Sequence, residues 1–160
     1  MRVFRNIKGE VVDVIKHTLD VMREHPDVEI HIGTDSQNKK RNTSYATVIA
    51  YRYGTRGVHV IFSRLKVKKV KNLWDRLWKE AEDSINVALW MNEKINVKLE
   101  IDMDYNPNRK FDSFKLISAA KGWATGLGFK VNVKPELDAD GRTNLFENYA
   151  CKAADNLVRH

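Results

Sequence analysis

Disulfides, membrane spans and secretion signals have no support in this sequence. A single cysteine, Cys151, excludes an intrachain disulfide. No stretch approaches the run of about 18 apolar residues that a membrane-spanning helix needs. Residues 1–25 carry charges throughout and contain no apolar run of the kind found in signal peptides. From these absences we expect a cytoplasmic protein that has no membrane partner.

Several kinds of catalytic motif are also missing. The five histidines show no metal-ligand spacing such as HxxxH, which argues against a zinc site. The glycines at 126 and 128 are better explained as a helix terminator than as a phosphate-binding loop. No serine or cysteine stands in a recognisable nucleophile motif. The carboxylates are therefore the main candidates for chemistry.

The composition is that of a folded, basic protein. With 160 residues, of which 42% are hydrophobic and 31% charged, the chain is long enough to bury a core and fits one domain over residues 1–160. The net charge of +7 and the pI near 9.5 favour a polyanionic partner. Charge of this kind indicates a class of partner but no reaction.

Hydrophobic periodicity predicts an α/β domain. Helical spacing is found over residues 9–24, 72–94, 113–128 and 143–160, and strand patterns over 28–35, 43–54, 57–69, 95–105 and 129–135. Asn72 is the expected N-cap of the long second helix. Three antiparallel strands followed by alternating helices and strands predict a mixed five-stranded sheet with helices on both faces.

Carboxylates follow two of these strands. Asp35 comes at the end of strand one, and Asp102 and Asp104 come near the end of strand four. A sheet that pairs these strands would bring the acids together, as phosphoryl transfer by two Mg²⁺ ions about 4 Å apart requires. However, Asp35 could instead cap a turn, and the other two could belong to a solvated strand face.

The remaining acids are less well determined by pattern. Glu80 and Glu82 lie at opposite edges of the apolar stripe of the second helix, and periodicity does not choose between them. In the last helix Asp155 falls opposite the apolar stripe, which is typical of a solvent-facing residue. Asp138 or Asp140, in the preceding loop, could take its place.

Motifs along nearly the whole chain resemble the bacterial YkuK-type family of ribonuclease H-like proteins. They are IGTDSQ in strand one, DRLWKEAEDS in the second helix, EIDMDYN in strand four, GWATGLGFKVNVKP, and ACKAADN in the last helix. The order of elements in the ribonuclease H-like fold is the order that periodicity predicts independently.

The resemblance implies a set of metal ligands. Nucleases of this fold hold two Mg²⁺ or Mn²⁺ ions with acids from strand one, the long helix, strand four and the last helix, which by position are Asp35, Glu80, Asp104 and Asp155. Glu80 is preferred because the family pattern has a glutamate four residues before a serine, here Ser84. Asp102 stands where the family has histidine, and this extra acid could be a further metal ligand, a group that contacts the ligands, or a surface change.

The function that the resemblance implies is metal-dependent hydrolysis of phosphodiester bonds in RNA, an RNA/DNA hybrid or DNA. Residues expected at the nucleic-acid surface are Ser36, Gln37, Lys39, Lys40, Arg41, Lys66, Lys68, Lys69, Lys71, Arg109, Lys110 and Lys134. The alternative is an inactive ribonuclease H-like module that binds nucleic acid or another protein, because a fold alone does not establish chemistry. Oligomeric state is not indicated by the sequence.

Overall fold

The computed structural model describes residues 2–104 and 110–134, together with residues 153, 154 and 157; for residues 110–114 and 134 only the backbone is described. The elements in this part of the chain are β1 (Phe4–Arg5), β2 (Val11–Val12), α1 (Val14–Glu24), β3 (Glu29–Asn38), β4 (Asn42–Arg52), β5 (Val58–Lys68), α2 (Leu73–Lys94), β6 (Leu99–Asp104), α3 (Lys110–Gly126) and β7 (Lys130–Lys134).

The strands form one mixed sheet in the order β2-β1-β5-β4-β3-β6-β7. Neighbours β3, β4 and β5 pair antiparallel, whereas β6 pairs parallel with β3 and β7 pairs parallel with β6. This arrangement confirms the predicted α/β class with three leading antiparallel strands. The described sheet has seven strands rather than the predicted five, because a short N-terminal hairpin adds β1 and β2 at one edge.

The first helix was predicted to begin at residue 9, but α1 begins at Val14, because the N-terminal hairpin occupies the residues before it. The side chain of Asn6 accepts hydrogen bonds from the backbone N–H groups of Lys8 and Glu10, each at 3.0 Å, and so closes a turn. Gly9 occupies the turn with φ of 87°. Two β-branched valines then pair with β1, and α1 begins only after Asp13 caps the backbone N–H of Lys16 at 3.2 Å.

Two other boundaries affect the candidate site. The long helix α2 begins at Leu73 behind the Asn72 cap, as predicted, and the side chain of Asn72 accepts from the backbone N–H of Asp75 at 3.1 Å. Strand β3 continues to Asn38, three residues beyond its predicted end. Asp35 therefore lies inside a strand, although its carboxylate does accept from the backbone N–H of Ser36 at 2.9 Å.

Apolar packing covers both faces of the sheet. The larger cluster holds buried side chains from the sheet and from α1, α2 and α3. A smaller cluster on the opposite face packs Ala46, Val48 and Ala50 of β4 against the helical residue Ala154. The described residues thus place helical segments on both faces, as predicted. None of the described helices is long and apolar enough to cross a membrane.

Candidate functional site

The acids of β3 and β6 share one face of the sheet. In the parallel pairing, Gly33 lies opposite Asp102, and side chains two residues further along a strand return to the same face. Asp35 therefore lies two residues beyond Gly33, and Asp104 two residues beyond Asp102, on the same face of two adjacent strands. Asp35 is half-buried and Asp104 is exposed at the end of β6.

Glu80 of α2 reaches the same end of the strands from the helical layer. It is only 9% exposed, and its Oε2 accepts a hydrogen bond from the hydroxyl of Ser36 at 2.8 Å. Ser36 directly follows Asp35 in β3. Glu82, the other candidate from the sequence, is half-exposed, whereas Glu80 lies at the strand ends where Asp104 is found.

A small cavity lies between Glu80 and the acids of β6. It measures about 20 Å³ and is lined by Thr34, Leu77, Glu80, Ala81, Asp102, Met103, Asp104 and Ile117. This volume is enough for one water molecule or one ion but not for a nucleotide. A substrate would therefore have to meet the acids from outside the cavity.

A buried polar network fixes the rotation of α2 so that Glu80 faces β3. The hydroxyl of Thr34 lies 2.8 Å from that of Ser84 and 3.0 Å from that of Thr47. Arg2 donates to Thr47 at 2.6 Å and lies 3.5 Å from the carboxylate of Asp83. Because residues four apart share one helix face, anchoring Ser84 also orients Glu80.

The acids of α2 make their surroundings negative. Tyr45 is fully buried beside them, and burial, followed by the charges of Glu80 and Asp83, raises the pKa of its hydroxyl to about 12. Tyr45 lies on the face of the sheet that α2 covers, since it pairs with Ser36.

Asp155 lies outside the described residues, as do Asp138 and Asp140. The preceding residues Ala153 and Ala154 pack against β4, on the face of the sheet that carries Asp35, since Ala46 is the partner of Asp35 in the strand pairing. Whether Asp155 belongs to the site stays a prediction from the resemblance.

Asp102 lines the cavity and also makes hydrogen bonds to residues of β3 and β7. Its carboxylate accepts from Nδ1 of His31 and from the amide of Asn132, both at 3.0 Å, and the residue is 2% exposed. Asn132 also donates to Glu100 at 3.1 Å. Asp102 is therefore part of a polar cluster that joins β3, β6 and β7.

This cluster contains a group that could hold a metal ion. Glu29, His31 and Glu100 each offer one ligand atom within 4.8 Å of the others. Sequence spacing gave no sign of it, because the three residues meet only through the β3–β6 pairing. Arg52 lies 3.2 Å from Glu29 and Lys130 lies 3.4 Å from Glu100, so both glutamates already have cationic partners. Arg52, Lys130 and a protonated His31 together carry three positive charges, which balance the three negative charges of Glu29, Glu100 and Asp102.

We expect His31 to make stability depend on pH. Burial lowers its pKa, but the hydrogen bond and charge of Asp102, the charge of Glu100 and a hydrogen bond with Glu29 more than offset this and leave the pKa raised. A folded-state pKa above the unfolded value of about 6.5 contributes stability below that pH, and this contribution is lost as pH rises through the folded pKa. In urea denaturation with a chelator present, the stability difference between wild type and His31→Gln should therefore be larger at about pH 6 than at about pH 8.5. A difference that increases with pH would contradict this assignment.

A basic surface adjoins the acids on the Asp35 face. The β3–β4 turn, with Lys39, Lys40 and Arg41, lies beside the end of β5, where the backbone N–H of Lys69 donates to the carbonyl of Arg41 at 3.1 Å. The exposed cations of this basic surface are Lys39, Lys40, Arg41, Arg64, Lys66, Lys68, Lys69 and Lys71. A cavity of about 300 Å³ is lined by Lys39, Ser44, Tyr45, Arg64, Leu65, Lys66 and Leu157.

Arg64 was not expected from the sequence. Asp35 pairs with Ala46, which pairs with Arg64, so Arg64 and Asp35 lie in one row across the same face, about 10 Å apart. Of the predicted nucleic-acid residues, Ser36 is buried and Gln37 half-buried, so the exposed contacts come from the lysines and arginines. Arg109 and the side chains of Lys110 and Lys134 lie outside the described part of the chain.

The fold and the acids at the strand ends define an α/β module related to nucleic-acid chemistry. The sequence matches the ribonuclease H-like family over residues 10–140. The chain therefore belongs to the ribonuclease H-like family, to which the YkuK-type proteins also belong. No curated protein matches the chain.

Proposed function

We propose that the protein is a metal-dependent nuclease that hydrolyses phosphodiester bonds in nucleic acid. The observation that carries the proposal is that Glu80 and Asp104 line one small cavity at the end of β6, while Asp35 lies on the adjacent strand β3, on the sheet face that it shares with Asp104. Carboxylates that gather around so small a space repel one another unless a cation lies among them.

The donor set fits Mg²⁺ or Mn²⁺. These ions prefer oxygen ligands, and the three side chains offer only carboxylate oxygens. When bound, the ions would supply an activated water and would stabilise the leaving oxygen of the phosphodiester. Asp35 and Asp104 would hold the ions from the sheet, and Glu80 would hold them from α2. We retain Asp155 as a further ligand and Asp102 as an outer carboxylate that also serves the His31 cluster.

The Ser36 hydroxyl has a supporting role in this proposal. By donating to Oε2 of Glu80 at 2.8 Å, it holds the Glu80 carboxylate in place beside the cavity. Preorganised ligands need no rearrangement when the ion enters. Ser36 is therefore proposed as a positioning residue rather than a nucleic-acid contact.

The basic surface would bind the substrate's phosphates. Arg64 and Lys66 extend along β5 on the Asp35 face, so a strand lying there would have its backbone directed towards the acids. Phosphate contacts of this kind give affinity and register but no sequence preference. We accordingly expect binding to tolerate many sequences.

A test of the basic surface is the salt dependence of binding. We expect Arg64→Gln with Lys66→Gln to weaken duplex binding and to reduce the slope of log K against log salt by up to about 2, because each phosphate contact contributes about 0.9. Fluorescence anisotropy over a series of salt concentrations gives the slope. The matched control is Lys16→Gln with Lys98→Gln, which removes two exposed lysines elsewhere. Equal losses in both double variants would show that net charge, not this surface, determines binding.

The second candidate is a binding module without cleavage. The observation that favours it is that the described residues lining the 300 Å³ cavity of the basic surface include three cations and no acid. The two candidates separate in one assay, in which labelled RNA, DNA and hybrid are incubated with Mg²⁺, Mn²⁺ or a chelator. Metal-dependent products support the nuclease, whereas salt-sensitive binding without products supports the module.

A further inference from the structure

Two histidines from distant parts of the chain meet on the sheet face that α1 covers. His17 lies on α1 and His59 on β5, and their Nε2 atoms are 2.9 Å apart. Both side chains are half-buried, so each ring remains accessible to solvent on one side. This pair is separate from the acids at the end of β6 and from the His31 cluster.

The rings are held in place by their surroundings. Tyr51 packs edge-on against His17 with ring centroids 5.2 Å apart and stacks on His59 at 5.8 Å. The hydroxyl of Tyr51 lies 2.8 Å from that of Thr18, which fixes the tyrosine beneath the pair. The two imidazoles therefore sit on a buried, hydrogen-bonded support rather than on mobile side chains.

The spacing of the two nitrogens is that of two ligands on one metal ion. Zinc binds imidazole nitrogens at about 2.0–2.1 Å, so two ligands at a right angle lie about 2.9 Å apart, and two at a tetrahedral angle about 3.4 Å. A shared proton between the rings accounts for the same distance, because one neutral imidazole can donate to another. A metal ion and this proton would compete for the same pair of nitrogens.

The protonation state of the pair favours metal binding. Burial lowers the pKa of both histidines. For His17, the charge of His59 lowers the pKa further, whereas the charge of Asp20 partly offsets this. A histidine binds a metal ion through a neutral imidazole nitrogen, so a lowered pKa is compatible with this role. By contrast, His31 has a raised pKa and is surrounded by carboxylates that already have cationic partners.

We propose that His17 and His59 form a two-imidazole binding site for a divalent transition-metal ion of the zinc class. The ion would link α1 to β5, and solvent would fill its other ligand positions. Because the folded chain brings the two nitrogens together from 42 residues apart, binding would be coupled to folding. The site is independent of the proposed nuclease chemistry, since hard ions such as Mg²⁺ prefer oxygen ligands.

The experiment is a Zn²⁺ titration followed by calorimetry and by histidine NMR signals. Wild type should bind Zn²⁺ with perturbation of the His17 and His59 resonances, and its thermal midpoint should rise with added Zn²⁺. His17→Gln and His59→Gln should each weaken this binding by at least about tenfold, since losing even an outer partner of a metal ligand costs 10–100-fold. His25→Gln, which replaces a histidine packed on Tyr53 away from the pair, should bind Zn²⁺ like wild type.

Other results overturn the proposal. Zn²⁺ that perturbs His31 but neither His17 nor His59 would assign binding to the Glu29, His31 and Glu100 group instead. Unchanged affinity in both glutamine variants, or no Zn²⁺ binding by wild type, would show that His17 and His59 form a hydrogen-bonded pair and do not bind a metal ion. The NMR measurement on wild type gives an answer even if a variant folds poorly.

Discussion

Replacing Asp35 with asparagine is expected to lower metal-dependent cleavage by about 10³-fold in kcat/KM, because a lost metal ligand removes several kcal/mol of transition-state stabilisation and each 1.36 kcal/mol is a factor of ten. Asparagine keeps the size of the side chain and an oxygen, so the strand pairing with Ala46 should remain. Initial rates on labelled RNA, DNA and hybrid in Mg²⁺ and in Mn²⁺ measure the effect.

Two glutamates of α2 provide the matched comparison for this prediction. Glu80→Gln should reduce cleavage as Asp35→Asn does, because Glu80 lines a cavity with Asp104, the other proposed ligand from the sheet. Glu82→Gln makes the same chemical change two residues away, at a half-exposed position, and should retain full activity. If Glu82→Gln lost activity while Glu80→Gln kept it, the assignment of the helix ligand would be wrong.

Asp102→Ala is expected to destabilise the fold by about 3–5 kcal/mol, which is typical when one partner is removed from a buried ion pair. Asp102 is 2% exposed, and its carboxylate accepts from both His31 and Asn132. Alanine would remove the acceptor at Nδ1 of His31 and one of the two acceptors of the Asn132 amide, in a buried position. Urea denaturation of the variant beside wild type measures the loss.

Asp104→Ala is the comparison for this second prediction. Asp104 is the next residue on the same face of β6 but is exposed, so its removal should change stability by no more than about 0.5 kcal/mol. The same variant should abolish cleavage if Asp104 holds a metal ion. Equal destabilisation by the two substitutions would show that Asp102 is not the buried partner that the contacts indicate.

Local signals determined most of the fold. The Asn72 cap and the apolar stripe that follows it predicted the start of α2. The alternation of apolar and polar residues predicted the strands from β3 to β7. The N-terminal hairpin was missed because Val11 and Val12 are in phase with the helical pattern of α1. Only the turn made by Asn6 and Gly9, together with pairing to β1, decides against the helix.

The candidate site was less predictable because it depends on strand pairing. Periodicity alone left Glu80 and Glu82 equivalent, whereas the family resemblance preferred Glu80, and the contact between Ser36 and Glu80 supports that preference. The alternative role of Asp102 arises from the register that places it beside His31, which no local pattern contains. The His17–His59 pair is equally a product of long-range packing.

The most direct test of the proposed metal centre is a Mg²⁺ titration by calorimetry of wild type, Asp35→Asn and His31→Gln. Mg²⁺ is chosen because it prefers oxygen ligands and so does not report on the histidine pair. We expect wild type and His31→Gln to bind Mg²⁺, whereas Asp35→Asn should not. Binding that persists in Asp35→Asn but disappears in His31→Gln would place the metal at the Glu29, His31 and Glu100 group and contradict the proposed site.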